Sequence, residues 1–376
     1  MHVEARMRVA VFEWLRVLAT VVVIYHHSAL AYYGSPMRRW YVLDPDGTIA
    51  FEALLRIVDP FQMPAFFLIA GWLTARTLHR GRAGFVQRRL LRLGLPFLVG
   101  SYTLVPLLMY LKRTTQSGLQ DRFTDYWLGA YLTHDYRAGY LWFLSMLLVF
   151  QLAAWSLHRA RPRSFEPAPR PPSVALAAAL VAVVAGGEAL AQVYFGEYAW
   201  VEWGGTGLLT YQPSRLASYA AAFWVGAEAW RGGWTFREGL FARPGLALLG
   251  VALALGVQVA FGLTLYPAVS GSGLLMLVNG ALYAGTSLVT VVAGVAVAGR
   301  LADRLGQPGL LRRLSGASYT TYLIHLPVVV SLQYVLLYAP ANPVLKALAV
   351  LLVSAPLSFA LADLLLRVRW LRRVLG

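Results

Sequence analysis

The sequence predicts an all-α integral membrane protein, a polytopic bundle of about ten transmembrane helices with both termini in the cytoplasm. Three observations lead to this prediction. Hydrophobic residues make up 58% of the chain and charged residues 13%, whereas charged residues account for about 25% of an ordinary soluble domain. Apolar stretches recur that approach the ~20 residues needed to cross a bilayer. Basic residues are concentrated in alternate connecting segments, which indicates the orientation of the helices.

The predicted spans follow one another along the whole chain. They lie near residues 10–33, 57–78, 93–111, 139–158, 173–195, 215–231, 245–266, 273–299, 315–338 and 344–366. The segment 159–172 contains five prolines, which interrupt helices, and is predicted to be a cytoplasmic linker. We therefore expect a single domain, 1–376, in which this linker separates helices 1–4 (10–158) from helices 5–10 (173–366).

The distribution of charge favours membrane topology over nucleic-acid binding. The net charge is +16, and the predicted inner segments hold 23 of the 33 basic residues, as the positive-inside rule requires. The outer segments instead hold acidic residues, namely Asp44, Asp46, Glu52, Asp121, Asp125, Asp135, Glu197 and Glu202. We therefore expect the lipid bilayer as a partner and no nucleic acid. The absence of cysteine excludes disulfides, iron–sulfur clusters and thiol chemistry.

The first span carries ionisable side chains at bilayer depth. Arg16 and His27 are eleven residues apart, almost three helical turns, so both project from nearly the same face, about 16 Å apart. Glu13, one turn before Arg16, shares that face. Such groups usually face a cavity or a partner and are candidate functional residues. A Glu13–Arg16 pair at the cytoplasmic interface with a snorkelling histidine fits the same spacing. His26 lies about 100° round the helix and is expected to face a neighbouring helix or headgroups.

A cluster of arginines precedes the third span. Arg89 and Arg92 lie one turn apart at its predicted cytoplasmic start, and this fork suits phosphate groups. Arg88 and Arg76 raise the local positive potential further. The positive-inside bias alone would also place arginines in this segment.

Other polar residues at membrane depth have two interpretations each. Ser318, Tyr322 and His325 share one face of the ninth helix and could complete a substrate cavity, or His325 could be satisfied by a backbone carbonyl between packed helices. Asp59 could orient His27, and Trp142 fits packing better than chemistry. The side chains of Glu228, Gln258 and Asn279 could be interhelical hydrogen-bond partners. The seven scattered histidines predict no metal site.

The outer segments are rich in polar and aromatic residues. Residues 34–56, 112–138 and 196–214 carry Tyr, Trp, Asp and Gln. That mixture suits a carbohydrate-facing mouth, and it equally suits an aromatic belt at the membrane interface.

An ordered set of motifs spans the chain from the first to the ninth predicted helix. The motifs are Glu13-Trp-Leu-Arg16 with His27, Phe61-Gln-Met-Pro-Ala-Phe-Phe-Leu-Ile-Ala-Gly71, Arg89-x-x-Arg92-x-x-x-Pro96, Tyr140-Leu-Trp-Phe-Leu144, Phe223-Trp-Val-Gly226 and Ser318-Tyr-Thr-Thr-Tyr-Leu-Ile-His325-x-Pro327. With this set in this order, the chain resembles the membrane-embedded acyltransferase-3 family. Within the family, the overall pattern is most similar to the branch that succinylates periplasmic glucans.

The chain departs from the family pattern at three places. Glu13 stands where the family usually has aspartate, which keeps the charge. Ala70 stands where serine is usual, and Tyr140 where histidine is frequent. If that histidine takes part in proton transfer in relatives, this chain must manage without it.

The resemblance implies transfer of an acyl group from cytoplasmic acyl-CoA (succinyl-CoA or acetyl-CoA, with no metal) to a hydroxyl of an extracytoplasmic glycan in the bacterial inner membrane. His27 would be the general base or form an acyl-histidine. Arg16 would contact the donor or stabilise negative charge, with Glu13 holding it in place. The four arginines Arg76, Arg88, Arg89 and Arg92 would hold the nucleotide. The acyl or sugar group would contact Ser318, Tyr322, His325, Asp59 and Trp142.

Two other classes fit part of the pattern. A proton-coupled secondary transporter or glycan flippase could use Glu13, Arg16 and His27 as a relay. The sequence shows no inverted repeat and no paired interruptions of its helices, which such transporters often have. A structural membrane scaffold would leave the intramembrane charges without a purpose.

Overall fold

The computed structural model of the chain describes residues 2–34, 40–48, 50–81, 83–203, 207–236, 238–265, 269 and 271–376. Of residues 2–8, 50, 52–54 and 263 it describes the backbone alone. The described chain is almost entirely helical, which confirms the predicted all-α class.

The first half of the chain contains seven α-helices in its described part. They are α1 His2–Leu30, α2 Ala50–His79, α3 Phe85–Arg89, α4 Leu95–Thr103, α5 Val105–Ser117, α6 Phe123–Tyr126 and α7 Trp142–Ala160. A π-helical stretch, Leu90–Gly94, joins α3 to α4, and a second one, Trp127–Asp135, continues α6. A single 3₁₀ turn, Gly139–Leu141, leads into α7. The first π-helical stretch contains Arg92, and such wider turns are frequent at functional sites.

The second half contains the remaining described helices and a short hairpin. The helices are α8 Val174–Phe195, α9 Pro213–Arg231, α10 Pro244–Thr264, α11 Gly273–Leu305, α12 Gly309–Val335, α13 Pro343–Arg367 and α14 Arg369–Leu375. The strands β1 Val201–Glu202 and β2 Thr210–Tyr211 pair antiparallel, with Val201 opposite Tyr211. Short 3₁₀ turns, Pro162–Phe165 and Gly239–Ala242, precede α8 and α10.

Eight helical segments of the described chain are long and apolar enough to cross a membrane. They lie at Val9–Leu30, Leu55–His79, Phe85–Ser117, Gly139–Ala160, Val174–Phe195, Pro244–Gly262, Gly273–Leu305 and Pro343–Arg367. The two other predicted spans, 215–231 and 315–338, coincide with the helices α9 and α12. Both helices are more polar, and much of each is buried against protein. A helix surrounded by other helices does not need an apolar surface toward lipid.

The helices α2 and α9 cross at a close contact that two glycines allow. A Cβ added at Gly71 would lie 1.8 Å from the carbonyl oxygen of Phe223, and one added at Gly226 would lie 2.0 Å from that of Leu68. Small residues let the backbones of membrane helices approach each other. The glycines of two motifs, Phe61–Gly71 and Phe223–Gly226, therefore have a packing role.

The helix α1 packs against α2, α11, α12 and α13. It runs parallel to α12, because Trp14, Arg16 and His27 contact Gly306, Ser315 and His325 in the same order. In the predicted ten-span topology the first and ninth spans also run parallel, because all odd-numbered spans cross the membrane in the same direction. We call the end of the bundle that carries Arg76, Arg92 and Arg313 the arginine-rich end, and the opposite one the outer end.

Candidate active site

Two histidines from distant parts of the chain meet near the outer end of α1 and α12. The Nδ1 atom of His27 lies 2.8 Å from Nε2 of His325. The two rings are nearly coplanar, with an interplanar angle of 19° and centroids 5.0 Å apart. This separation fits an edge-to-edge hydrogen bond between imidazoles. His325 is fully buried, whereas His27 is partly exposed.

The partners of the two rings determine which nitrogens carry hydrogen when both histidines are neutral. Nδ1 of His325 lies 2.7 Å from the carbonyl oxygen of Tyr322 and must donate to it. Nε2 of His325 is then an acceptor, so Nδ1 of His27 donates to it. The remaining ring nitrogen of His27, Nε2, therefore carries a lone pair, which is the form that a general base or nucleophile needs.

A tryptophan from the first outer segment covers the ring of His27. The rings of Trp40 and His27 are stacked, with centroids 5.3 Å apart and an interplanar angle of 20°. Buried Gln333 holds both residues: its Oε1 accepts from the Trp40 indole at 2.8 Å, and its Nε2 donates to the carbonyl oxygen of His27 at 2.8 Å. Neither Trp40 nor Gln333 was predicted as a site residue, since no spacing relates them to His27.

The other predicted residues on the face of α12 are buried and bonded to backbone. The Ser318 hydroxyl donates to the carbonyl oxygen of Leu314 at 2.9 Å. The Tyr322 hydroxyl donates to the carbonyl oxygen of Tyr140, and the Tyr140 hydroxyl donates to that of Leu323. These bonds join α12 to the start of α7 and place both phenols in structural roles.

Tyr140 lies beside the histidine pair. Its ring stands edge-on to His325, with centroids 5.9 Å apart and an interplanar angle of 88°. The position at which relatives often carry histidine is therefore next to His325. In this chain that position supplies packing and a hydroxyl that is already committed to a backbone carbonyl.

The other two ionisable residues of the first span have separate partners. Arg16 donates to the Ser315 hydroxyl at 3.2 Å, and Glu13 accepts from Nε2 of Gln307 at 3.0 Å. The described ion pairs do not include one between Glu13 and Arg16. That Glu13 holds Arg16 in place stays a prediction: the two charges are close enough to attract each other, and the segment that begins α12 supplies a hydrogen-bond partner for each side chain.

The arginines of the predicted phosphate fork lie at the arginine-rich end, near Arg16. Arg92 is close enough to Arg16 for the two positive charges to repel each other. The guanidinium of Arg92 lies 5.7 Å from the ring centroid of Tyr319, whose hydroxyl donates to the Arg92 carbonyl oxygen. Arg89 lies 4.9 Å from the ring of Phe85, and its Nε is buried with no hydrogen-bond partner among the described residues. An anion is the natural partner for this unsatisfied donor.

Two further arginines flank this fork. Arg88 is exposed, and its guanidinium donates to the Ala83 carbonyl oxygen. Arg76 lies 5.3 Å from the ring of Trp72. Both add positive charge at this end. Tyr319 was missed in the sequence, although its position one turn from Ser315 and before Tyr322 on α12 could have suggested it.

The structure places Asp59 away from His27. Asp59 Oδ2 lies 3.8 Å from Nε of Arg215 on α9, and its charge acts on His26 rather than His27. The expectation that Asp59 orients His27 is therefore not met, because residues 26 and 27 face different neighbours of α1. Trp142 packs on Tyr219 and Trp200, with ring centroids 5.4 and 5.5 Å away. It belongs to an aromatic wall near Asp59 and not to the histidine pair.

Two of the three polar residues interpreted as interhelical partners form such contacts, and the third, Glu228, pairs within its own helix. Glu228 pairs with Arg231 at 2.7 Å, one turn along the same helix. Gln258 donates to the Thr286 hydroxyl at 2.7 Å, which joins α10 to α11. Asn279 donates to Gln192 at 3.5 Å, which joins α11 to α8.

Comparison with known proteins adds one positive result. Residues 9–363 match the family described as an acyltransferase domain, of the acyltransferase-3 type. No curated protein and no solved structure matches the chain. The match extends from the first apolar helix to α13 and so includes the histidine pair, Arg16 and the arginine fork. The helical bundle and this match together show that the chain belongs to the membrane-embedded acyltransferase-3 family and is a multi-pass membrane acyltransferase.

Proposed function

We propose that the protein transfers an acyl group from cytoplasmic acyl-CoA to a hydroxyl of an extracytoplasmic glycan, with His27 as the general base. The observation that carries this proposal is the hydrogen-bond order Tyr322 carbonyl, His325, His27, which leaves Nε2 of His27 as a base. A third group that orients the base is the arrangement found in other acyl-transfer sites. Here a buried neutral histidine would have the role that a carboxylate has elsewhere.

The proposed reaction is a single displacement at the thioester. Nε2 of His27 takes the proton of the acceptor hydroxyl while the hydroxyl oxygen attacks the thioester carbonyl carbon. The carbon–sulfur bond then breaks, an ester forms, and the imidazolium returns its proton to the thiolate of the leaving coenzyme A. When His27 is protonated, its Nδ1–H bond to His325 becomes charge-assisted and therefore stronger.

The arginine-rich end is the proposed donor site. In this site Arg89 and Arg92 would bind the phosphates of the donor, and Arg88 and Arg76 would add positive charge. Arg16 lies close to Arg92, and along α1 it is about 16 Å from His27. A thin pantetheine arm that passes Arg16 would bring the thioester from the phosphate end to the histidine pair. Glu13, through Gln307, fixes α1 against the segment that begins α12.

The substrates, the location and the chemical route complete the proposal. Succinyl-CoA or acetyl-CoA is the proposed donor, osmoregulated periplasmic glucan the proposed acceptor, and the bacterial inner membrane the proposed location. A covalent acyl-histidine on Nε2 of His27 would use the same lone pair and give the same product. Rapid denaturation at neutral pH during turnover with radiolabelled donor distinguishes the two routes, since only the second leaves label on the protein.

The transporter alternative has less structural support. A relay through Glu13, Arg16 and His27 needs groups that exchange protons through neighbouring partners. In the described structure these three residues bond to Gln307, Ser315 and His325, respectively, and not to one another.

Purified protein in lipid nanodiscs with labelled acyl-CoA and glucan tests the proposal. We expect wild-type protein to form a glucan ester, and His27→Ala to form none while remaining folded. His134→Ala, a change of an exposed histidine in an outer segment, is the matched control and should retain activity. Normal transfer by His27→Ala would contradict the proposed base. Transfer only from a donor other than acyl-CoA would contradict the proposed donor and leave the base intact.

A further inference from the structure

A second site lies on the other side of α1 from the histidine pair. A cavity of about 330 Å³ opens between α1, α2, α9, α10 and α11 near the outer end. The described residues that line it include His26 but neither His27 nor His325. A volume of this size lies at the lower end of the range for small-molecule sites. The reaction described above uses none of its residues.

Aromatic and amide side chains make up much of the wall. Tyr198 and Trp200 come from the segment between α8 and β1, and Tyr283 comes from α11. The amides of Gln258 and Asn279 also line the cavity. Both donate an N–H to other helices, so their carbonyl oxygens are the atoms that can accept hydrogen bonds from a ligand. Flat aromatic faces combined with amides suit a molecule with apolar C–H faces and many hydroxyls.

The charges of the cavity are already paired within the protein. Buried Arg215 lies 3.2 Å from Glu188, 3.8 Å from Asp59 and 3.7 Å from Glu197. Its guanidinium also lies 3.6 Å from the ring centroid of Tyr283. The lining itself carries two arginines, Arg56 and Arg215, and two carboxylates, Asp59 and Glu197. The charge of Arg215 is therefore compensated by carboxylates within the protein, and the balanced lining gives no net attraction for an anion.

Three buried polar atoms in the wall have no hydrogen-bond partner among the described residues: Nδ1 of His26, Nε of Arg215 and the hydroxyl of Tyr283. The hydroxyl of Tyr283, a residue 7% exposed, makes no hydrogen bond with any described residue. Buried polar groups are normally satisfied, and an exception indicates a missing ligand or water. This hydroxyl is a donor and acceptor in the wall of a polar cavity, where a sugar hydroxyl would satisfy it.

From these observations we infer that the cavity binds a neutral sugar unit of the acceptor glycan. The inference rests on the proposed function for its place in the reaction. The cavity begins at His26, whose ring centroid is 5.4 Å from that of His27. A glycan held in the cavity by one sugar unit can therefore present a neighbouring unit to the base. His26 lies beside the bound sugar unit, and His27, the next residue of α1, activates a hydroxyl of the neighbouring unit.

Two substitutions test the cavity with matched controls. Tyr283→Phe removes the unpartnered hydroxyl and keeps the ring beside Arg215, and Tyr25→Phe removes a second buried, unpartnered hydroxyl outside the cavity. Trp200→Ala removes an aromatic wall, and Trp203→Ala removes an exposed tryptophan from the same outer segment, 196–214, but outside the cavity. We expect about fivefold weaker sugar binding for Tyr283→Phe, about tenfold for Trp200→Ala, and no change for the controls.

Binding is measured by calorimetry on the full chain in nanodiscs without donor. The probes are neutral hexasaccharides, laminarihexaose and maltohexaose, and the anionic hexamer of galacturonate. The inference predicts binding of a neutral probe, weakened by the two cavity variants, and no competition by the anionic one. It is overturned if neither neutral probe binds, if the anionic one binds more tightly, or if the cavity variants bind like their controls. Because no acyl transfer is needed, sugar binding in a protein that fails to transfer would refute the proposed function and leave this site standing.

Discussion

Replacing His325 with phenylalanine removes the acceptor of the His27 Nδ1–H bond and keeps a ring in the buried position. Phenylalanine has no nitrogen for His27 or for the Tyr322 carbonyl oxygen, which lie 2.8 and 2.7 Å from the His325 ring. In the reaction, the bond to His27 is made by an imidazolium. Hydrogen bonds to charged groups contribute about 1.5–3 kcal/mol, which corresponds to a loss of about 10- to 150-fold in kcat.

Steady-state acyl transfer with purified protein measures this loss. We expect kcat to fall within that range while KM for the donor stays unchanged, since the donor's phosphates contact the other end of α1. His325→Gln, whose side-chain oxygen can accept from Nδ1 of His27, should recover part of the activity. An unchanged kcat in His325→Phe would refute the orienting role of His325. A rise in KM for the donor by the same factor would refute the separation of the two ends.

Three further predictions concern packing, positioning and pH. Gly226→Ala should lower the free energy of unfolding by about 3 kcal/mol or more, because its Cβ would lie 2.0 Å from a carbonyl oxygen of α2; thermal denaturation in detergent measures it. Gln333→Leu should reduce kcat up to about tenfold, because Trp40 loses a hydrogen bond of about 1 kcal/mol that holds it over His27; transfer assays measure it. Asp135, in an outer segment, accepts from Arg113 at 2.8 Å, which holds the pKa of its carboxyl below the ordinary value. This stabilisation is present above the pKa of about 4 that the carboxyl has in the unfolded chain, and it is lost as the pH falls through the lowered pKa of the folded protein. The difference in Tm between wild type and Asp135→Asn should therefore shrink as the pH falls below about 4.

Each of these predictions has a result that would contradict it. Gly285→Ala, where an added Cβ meets no atom within 4 Å, is the control for Gly226→Ala; equal stability of the two would show that the α2–α9 contact is not tight. Activity of Gln333→Leu at the wild-type level would show that Trp40 needs no anchor. A Tm difference for Asp135→Asn that is independent of pH would show that its charge does not matter.

Helical spacing alone predicted part of the site. The eleven-residue offset from Arg16 favoured His27 over His26, and the structure gives the two histidines different neighbours. The same reasoning placed His325 and Tyr322 on one face of the ninth helix. It could not show that His325 meets His27, because the pair is 298 residues apart and helical periodicity indicates a face and not the partner of that face.

The partners of the charged residues at membrane depth were the least predictable feature. Glu13 bonds to Gln307, and Asp59 bonds to Arg215, since distant helices supply nearer groups than the same or adjacent span. A signal for the outer cavity was nevertheless present in the sequence. Glu188 and Arg215 both stand inside predicted spans, and charges at that depth need partners. An unpaired charge at bilayer depth is costly. Glu188 on α8 and Arg215 on α9 therefore pair once the two helices are in contact.

The most direct test of the account is mass spectrometry of glycans from cells that express wild type, His27→Ala or no copy. We expect an acyl ester on an extracytoplasmic glycan with wild type alone, while His27→Ala is present in the membrane at the same level. The mass added by the ester identifies the acyl group. The same ester in cells that express His27→Ala would contradict the central claim that this histidine activates the acceptor.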